Sequence, residues 1–186
     1  KEITSVCLDS SGNIWLSVYA DGVYGYTSAG DEFCHLNTGN LLSNDVVLDI
    51  KEIDGKLWLA TDGGGLNVYD PDTQGMRVIS HIPGNNNSLP VNSFGCLYND
   101  QEKNIWAGSI RGGLIGLKRT YFYTYGDAQL NSTSGLSYKT VTSLYEDRDH
   151  ILWLGTDGDG INRFDPRTSQ FRHYPATFDK KVVSIV

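Results

Sequence analysis

Four six-residue segments of this chain align without a gap: Gly12-Asn13-Ile14-Trp15-Leu16-Ser17, Gly55-Lys56-Leu57-Trp58-Leu59-Ala60, Lys103-Asn104-Ile105-Trp106-Ala107-Gly108 and His150-Ile151-Leu152-Trp153-Leu154-Gly155. They account for all four tryptophans, which stand 43, 48 and 47 residues apart. A period of roughly 40–50 residues built from short strands is the signature of a propeller blade, a four-stranded sheet that buries its faces only against neighbouring copies. A second column runs in the same register. Seven residues after each Trp stands a glycine (Gly22, Gly65, Gly113, Gly160), followed by Val23, Leu66, Leu114 or Ile161. Two columns in fixed register across four copies leave little room for another fold class.

The expected architecture is all-β, with four four-stranded antiparallel blades. The units run approximately over 1–43, 44–88, 89–137 and 138–180, with a further blade beginning at 181–186. Within 138–180 the strands read Val141–Glu146, Ile151–Thr156, Ile161–Asp165 and Phe171–Tyr174, separated by polar or glycine-rich turns and an Asp-Pro turn. In 89–137, Lys118-Arg119-Thr120 replaces that Asp-Pro turn, and the aromatic run Tyr121–Tyr125 suits an outer strand. Val182-Val183-Ser184-Ile185-Val186 resembles the opening run Ile3–Asp9, so the expectation is a fragment of a larger ring. The repeated Trp is expected to fill the wedge between blades, where a large flat side chain buries roughly 150–250 Å². The repeated Gly is expected to supply the positive φ that a turn between twisted strands requires.

A net charge of −7 and a pI near 4.9 argue against non-specific binding to nucleic acid or to anionic membrane, both of which need basic surface. No apolar run approaches the ~18 residues of a membrane helix. Cys7, Cys34 and Cys96 have no metal-type spacing and read as buried free thiols. The four histidines (His35, His81, His150, His173) stand in different units and read as surface residues. Asp157-Gly158-Asp159-Gly160 resembles part of a calcium loop, but no bidentate acid follows at the required distance. No metal, cofactor or catalytic residue is therefore expected. Hydrolase, metalloprotease and phosphate-loop motifs do not occur.

These columns resemble the two-component regulator propeller repeat, in which an apolar strand and acidic turn lead to Gly-Asn-Ile/Leu-Trp-Ile/Leu-Gly-Thr, a glycine-rich turn, Gly-Leu and a strand ending in Asp-Pro. The run from Trp153 to Pro166 is a close copy, and Trp58–Leu66 differs by one alanine. Ser17-Val18 and Gly108-Ser109 depart from Gly-Thr. Leu41–Val46 and Gly135–Val141 look like the family's entry into a new blade. The resemblance implies a segment of a larger, about seven-bladed propeller. It further implies the periplasmic sensor portion of an inner-membrane hybrid histidine kinase, a homodimer in the parent protein. Such sensors detect oligosaccharides and control polysaccharide-utilisation genes; the kinase and membrane helix would lie outside this chain.

Strand counting places the loop between the second and third strands of a blade at the same end as the connection to the next blade. Tyr19-Ala20-Asp21, Asp62-Gly63-Gly64, Ile110-Arg111-Gly112 and Asp157-Gly158-Asp159 should therefore share a face with Asn44-Asp45, Asn85-Asn86-Asn87 and Tyr138-Lys139. Its aromatic, amide, carboxylate and cationic groups suit a hydroxyl-rich ligand. The candidate ligand-binding residues are Tyr19, Asp62, Arg111, Tyr138, Lys139 and Asp157. Turn residues of these types also arise for backbone geometry alone. Two other classes stay open. A scaffold or dimerisation propeller is one, although the Trp-Asp strand ending of WD repeats is absent. A propeller lyase or glycosidase is the other, although Asp9–Trp15 lacks the Thr of a sialidase Asp-box.

Overall fold

The computed structural model describes residues 1–85, 88–118, 121–125, 135–174, 182, 184 and 185. The expected Asn86-Asn87 and Arg119-Thr120 turns, and Val183 and Val186 of the closing run, lie outside the described residues. The sixteen strands are β1 (Ile3–Leu8), β2 (Ile14–Val18), β3 (Gly22–Tyr26), β4 (Glu32–Leu36), β5 (Val47–Ile53), β6 (Lys56–Thr61), β7 (Leu66–Asp70), β8 (Gly75–Ile79), β9 (Phe94–Asn99), β10 (Ile105–Ser109), β11 (Leu114–Lys118), β12 (Tyr121–Tyr125), β13 (Val141–Glu146), β14 (Leu152–Thr156), β15 (Ile161–Asp165) and β16 (Gln170–Tyr174). They form four sheets in simple meander order, β1-β2-β3-β4, β5-β6-β7-β8, β9-β10-β11-β12 and β13-β14-β15-β16. Among the described residues there is no helix, and hence none long and apolar enough to cross a membrane. The chain divides into two compact units, Lys1–Leu97 and Tyr98–Val186, so the division falls inside β9 rather than between repeats. Hydrogen bonds show why. The Leu97 amide donates to Asp49 in the first unit, whereas Tyr98 Oη and the Gln101 amide donate to Glu146 in the second.

In the first unit Trp15 is fully buried in a cluster with Val23, Leu36, Leu42, Val47, Ile50, Leu57, Leu59 and Tyr69, so it joins blade 1 to blade 2. Its ring meets Phe33 and Tyr69 edge-on at 5.3 and 5.9 Å. In the second unit Trp106 meets Phe164 at 5.5 Å, and Phe164 continues the packing to Phe171 at 4.5 Å. Both indoles lie against a glycine directly across the strand pair. A Cβ at Gly25 or at Gly116 would stand 2.9 Å from the ring. Val68 and Arg163 occupy that cross-strand position opposite Trp58 and Trp153. These two tryptophans stay partly exposed in this chain.

The indoles also explain the acidic turns. Asp9, Asp100 and Asp147 each accept the Nε1–H of the Trp six residues on, at 2.8, 2.8 and 2.7 Å. Backbone amides of the same turn point at the same carboxylates. Blade 2 lacks this clamp, because its β5–β6 hairpin closes through Asp54-Gly55 alone. Burial pushes the Asp9 and Asp147 carboxyls up. The hydrogen bonds from Trp15 and Asn13, and from Trp153 and Ile151, outweigh it and hold both below the usual carboxylate range. A depressed folded value stabilises the fold above the unfolded carboxyl pKa of about 4, and that stability is lost as pH falls through the folded value. Melting temperature is therefore expected to drop on acidification below about pH 4. Asp147→Asn, which has no charge to lose, should flatten that drop. An unchanged acid profile in this variant would remove the clamp from the acid response.

A bulge recurs in the first strand of three blades, between Ile3 and Ser5, Val47 and Asp49, and Val141 and Ser143. The threonines at two of these bulges reach the following segment: Thr4 Oγ1 donates to the Val47 carbonyl at 2.6 Å, and Thr142 Oγ1 to that of Val182. Val182 thus meets blade 4 as Val47 meets blade 1. Asp49, on its own bulge, accepts from Ser5 Oγ at 3.0 Å and from the Leu97 amide at 2.8 Å. Burial raises its pKa.

The repeated glycines all adopt positive φ: 83° at Gly22, 82° at Gly65, 81° at Gly113 and 75° at Gly160. At Gly65 a second constraint applies, because an added Cβ would run into the Ile79 carbonyl oxygen. The three cysteines are free, Cys96 buried and the other two half-buried. The histidines are not simply solvated surface groups. His35, His81 and His173 bond the carbonyls of Asp21, Leu89 and Gly135 at 2.8, 2.8 and 2.6 Å, and His150 Nδ1 pairs with Glu146 at 2.9 Å.

Candidate functional site

In the second unit, three loops are brought together by interactions that leave their outer side chains out of the core. The β14–β15 loop closes when Thr156 Oγ1 donates to the Gly160 carbonyl at 2.8 Å and accepts from the Asp159 amide at 3.3 Å. Ser109 does the same for the β10–β11 loop, donating to Gly113 and accepting from Gly112. The hydroxyl is what the Gly-Thr position supplies, so Ser109 is an adequate substitute. The connection into blade 4 is held by Leu136, fully buried, and by Asn162 of β15. Asn162 Oδ1 accepts from the Ser137 amide at 3.0 Å, and its Nδ2 donates to Ser137 Oγ at 2.8 Å. Two backbone bonds join the loops to the connection: Gly113 N–H to the Lys139 carbonyl at 2.9 Å, and Asp157 N–H to the Thr140 carbonyl at 3.1 Å.

The result is a cleft of about 700 Å³ lined by Ile110, Arg111, Ser137, Tyr138, Lys139, Thr140 and Asp157. Four of the six candidate residues, Arg111, Tyr138, Lys139 and Asp157, stand around it. Tyr138 rests on the Gly158 turn, where a Cβ would come within 2.8 Å of its ring, yet it remains 43% exposed. Arg111 and Lys139 are exposed and Asp157 is half-buried. A ring face, two cations and a carboxylate thus stand around one cleft. Among the described residues no group of His, Cys, Asp and Glu is arranged to hold a metal ion.

Tyr19 and Asp62 lie in the first unit, on the β2–β3 and β6–β7 loops. Both loops are tied to the connection between blades 1 and 2: Gly22 N–H donates to the Asp45 carbonyl at 3.1 Å, and Asp62 N–H to that of Val46 at 2.9 Å. Tyr19 is 54% exposed. Asp62 is exposed and bridges in strand fashion to Ser93. The same asparagine device recurs, with Asn67 holding Ser43 at 3.0 and 2.6 Å. Ser137, Thr140, Ile110 and the anchoring Asn162 were not among the sequence candidates. The pairing of Leu-Ser in the connection with Asn in the third strand, at 42–43 and 67 and again at 136–137 and 162, was the available signal.

Among the described residues, sixteen strands in four consecutive meander sheets, with indoles wedged between blades and loops gathered at the connections, define a segment of a β-propeller. Residues 88–111 and 135–158 match the family model of the two component regulator propeller. No curated protein matches the sequence. Among solved structures, the chain is similar to two extracellular domains assigned to hybrid two component systems of B. thetaiotaomicron. One has TM-score 0.75 and 21% identity over 99% of this chain and 23% of that one. The other has TM-score 0.62 and 20% identity over 97% of this chain and 28% of its own. PorZ, a surface component of the type-IX secretion system of Porphyromonas gingivalis, has TM-score 0.68 and 15% identity over 97% and 29%. The chain thus spans about a quarter of the length of the solved proteins it resembles.

Proposed function

We propose that this chain is part of the ligand-sensing propeller of a two-component, hybrid-type sensor histidine kinase. It lies on the periplasmic side of the membrane, and kinase and membrane-spanning parts belong to the rest of the protein. The ligand is an oligosaccharide, and its binding changes the arrangement of a homodimer that controls transcription. The observation that carries this reading is the cleft of the second unit, set on regulator-type repeats, with one exposed aromatic face and hydrogen-bonding groups of both kinds. The two solved extracellular domains of hybrid systems lend it support as analogues of the same fold. A sensor needs differential affinity between two states and no chemistry of its own.

Calorimetric titration of the complete sensor region with oligosaccharide fragments is expected to give saturable binding, with the ligand recovered unchanged. Consumption of the ligand would make the protein a propeller enzyme. Unaltered dimer geometry on saturation, measured by scattering, would reduce it to a binding or scaffold module.

A further inference from the structure

We propose that the cleft of the second unit selects an acidic sugar, whose anionic substituent, a carboxylate or sulfate ester, is held by Arg111 with Lys139 beside it. This rests on the reading of the cleft as a saccharide site.

The inference comes from comparing the two units position by position. Each unit builds the same corner from a second-to-third-strand loop, a blade connection and the loop of the following blade, using the same backbone bonds and the same Asn–Ser anchor. In the first unit the corner positions are Ala20, Asn44, Asp45 and Asp62; in the second they are Arg111, Tyr138, Lys139 and Asp157. The scaffold therefore forms with either set, and the second set is not dictated by folding. Their chemistry differs in sign. Those four positions of the first unit hold two carboxylates and no cation; Asp45 is engaged by the amide and hydroxyl of Thr38 at 2.6 and 2.7 Å, and the nearby cation, Lys1, is paired with Asp21 of the same loop. Those of the second unit hold two cations and one carboxylate, in a chain of net charge −7.

Arg111 carries a further mark. Its loop position has positive φ in every blade: 54° at Ala20, 102° at Gly63, 70° at Arg111 and 154° at Gly158. Blades 2 and 4 use glycine, which adopts this region without strain, whereas arginine does not. Ala20 and Lys103 also take positive φ, at 54° and 62°, so what sets Arg111 apart is its long cationic side chain at the edge of the cleft. The guanidinium fork matches the two oxygens of a carboxylate or sulfate, and an ammonium beside it adds a point charge. The Tyr138 ring, backed by Gly158, offers the apolar face of a sugar ring a surface, and the Asp157 carboxylate accepts from its hydroxyls.

The test uses Arg111→Gly in this 186-residue chain. Because glycine suits φ 70° better than arginine, the variant should melt at the same temperature as the parent or higher. Trigalacturonate, a sulfated galacto-oligosaccharide and neutral galactotriose serve as probes, followed by NMR shifts up to low-millimolar concentration. At least one acidic probe should bind saturably and the neutral one more weakly. Arg111→Gly should weaken the acidic probe by roughly tenfold to a hundredfold, as expected for loss of a charge-assisted contact. Arg148→Ala, on the exposed β13–β14 turn, should leave affinity unchanged, and added salt should weaken binding. Comparing the two acidic probes separates carboxylate from sulfate recognition. Equal binding of neutral and acidic probes, or full affinity in Arg111→Gly, would overturn the selectivity while leaving saccharide sensing intact. Failure of both acidic probes to bind would also overturn it, and saccharide sensing would then rest on the titration of the complete sensor region.

Discussion

Trp15→Ala is expected to destabilise the first unit by about 3–5 kcal/mol, the range for removing a large aromatic from a closed core. Trp15 has no exposed surface and is in contact with two blades. It sits flat against Gly25, so neither β3 nor the facing Tyr69 and Phe33 can fill the gap by a simple rotamer change. The substitution also strips the indole donor from Asp9. Trp106→Ala should act similarly in the second unit through Phe164 and Asp100. Trp58→Ala and Trp153→Ala should cost less, since both rings stay partly exposed. Denaturant melts of the four variants, followed by calorimetry because two units are present, check the order. Equal losses at Trp15 and Trp58 would show that exposure does not set the contribution.

Gly65→Val is expected to be strongly damaging, costing roughly 3–5 kcal/mol when left-handed strain and overpacking are combined, and Gly22, which meets the Leu36 carbonyl in the same way, should behave alike. Gly65 has φ 82°, and its missing Cβ is replaced in space by the Ile79 carbonyl oxygen, part of the β7–β8 pairing. Gly30→Val separates the two contributions. Gly30 also has positive φ, 91°, but nothing lies within 4 Å of its missing Cβ. It should lose only the backbone component, about 1–2 kcal/mol. Similar melting temperatures for the two variants would mean that the clash at Gly65 is relieved by movement and that φ alone matters.

The candidate site shows where legibility ends. That Arg111, Tyr138, Lys139 and Asp157 belong to loops at one end of their blades follows from strand counting, because antiparallel meanders alternate ends. That they enclose one cleft depends on Asn162 and Ser137 setting the depth of the connection, and on Gly158 leaving room for the Tyr138 ring. Both are contacts between segments some twenty residues apart, invisible to a local pattern. The carbonyl partners of the histidines were hidden for the same reason, although His81 is exposed and the other three partly so, as a surface reading expects. His173 meets Gly135 only once β16 lies beside the connection.

What the sequence by itself determined is the periodic part of this protein: four copies of a strand pattern, the turns that need positive φ, and hence antiparallel blades. Hydrophobic alternation and backbone sterics act within a few residues, so identical segments must make identical elements. Only the tertiary structure decided which tryptophans are enclosed, which aspartates clamp them, and where the division between compact units falls. Those outcomes turn on the neighbour across the strand or across the blade, such as Gly25 against Val68 opposite an indole. The missing Cβ of Gly25 lets the Trp15 ring lie flat against its partner strand.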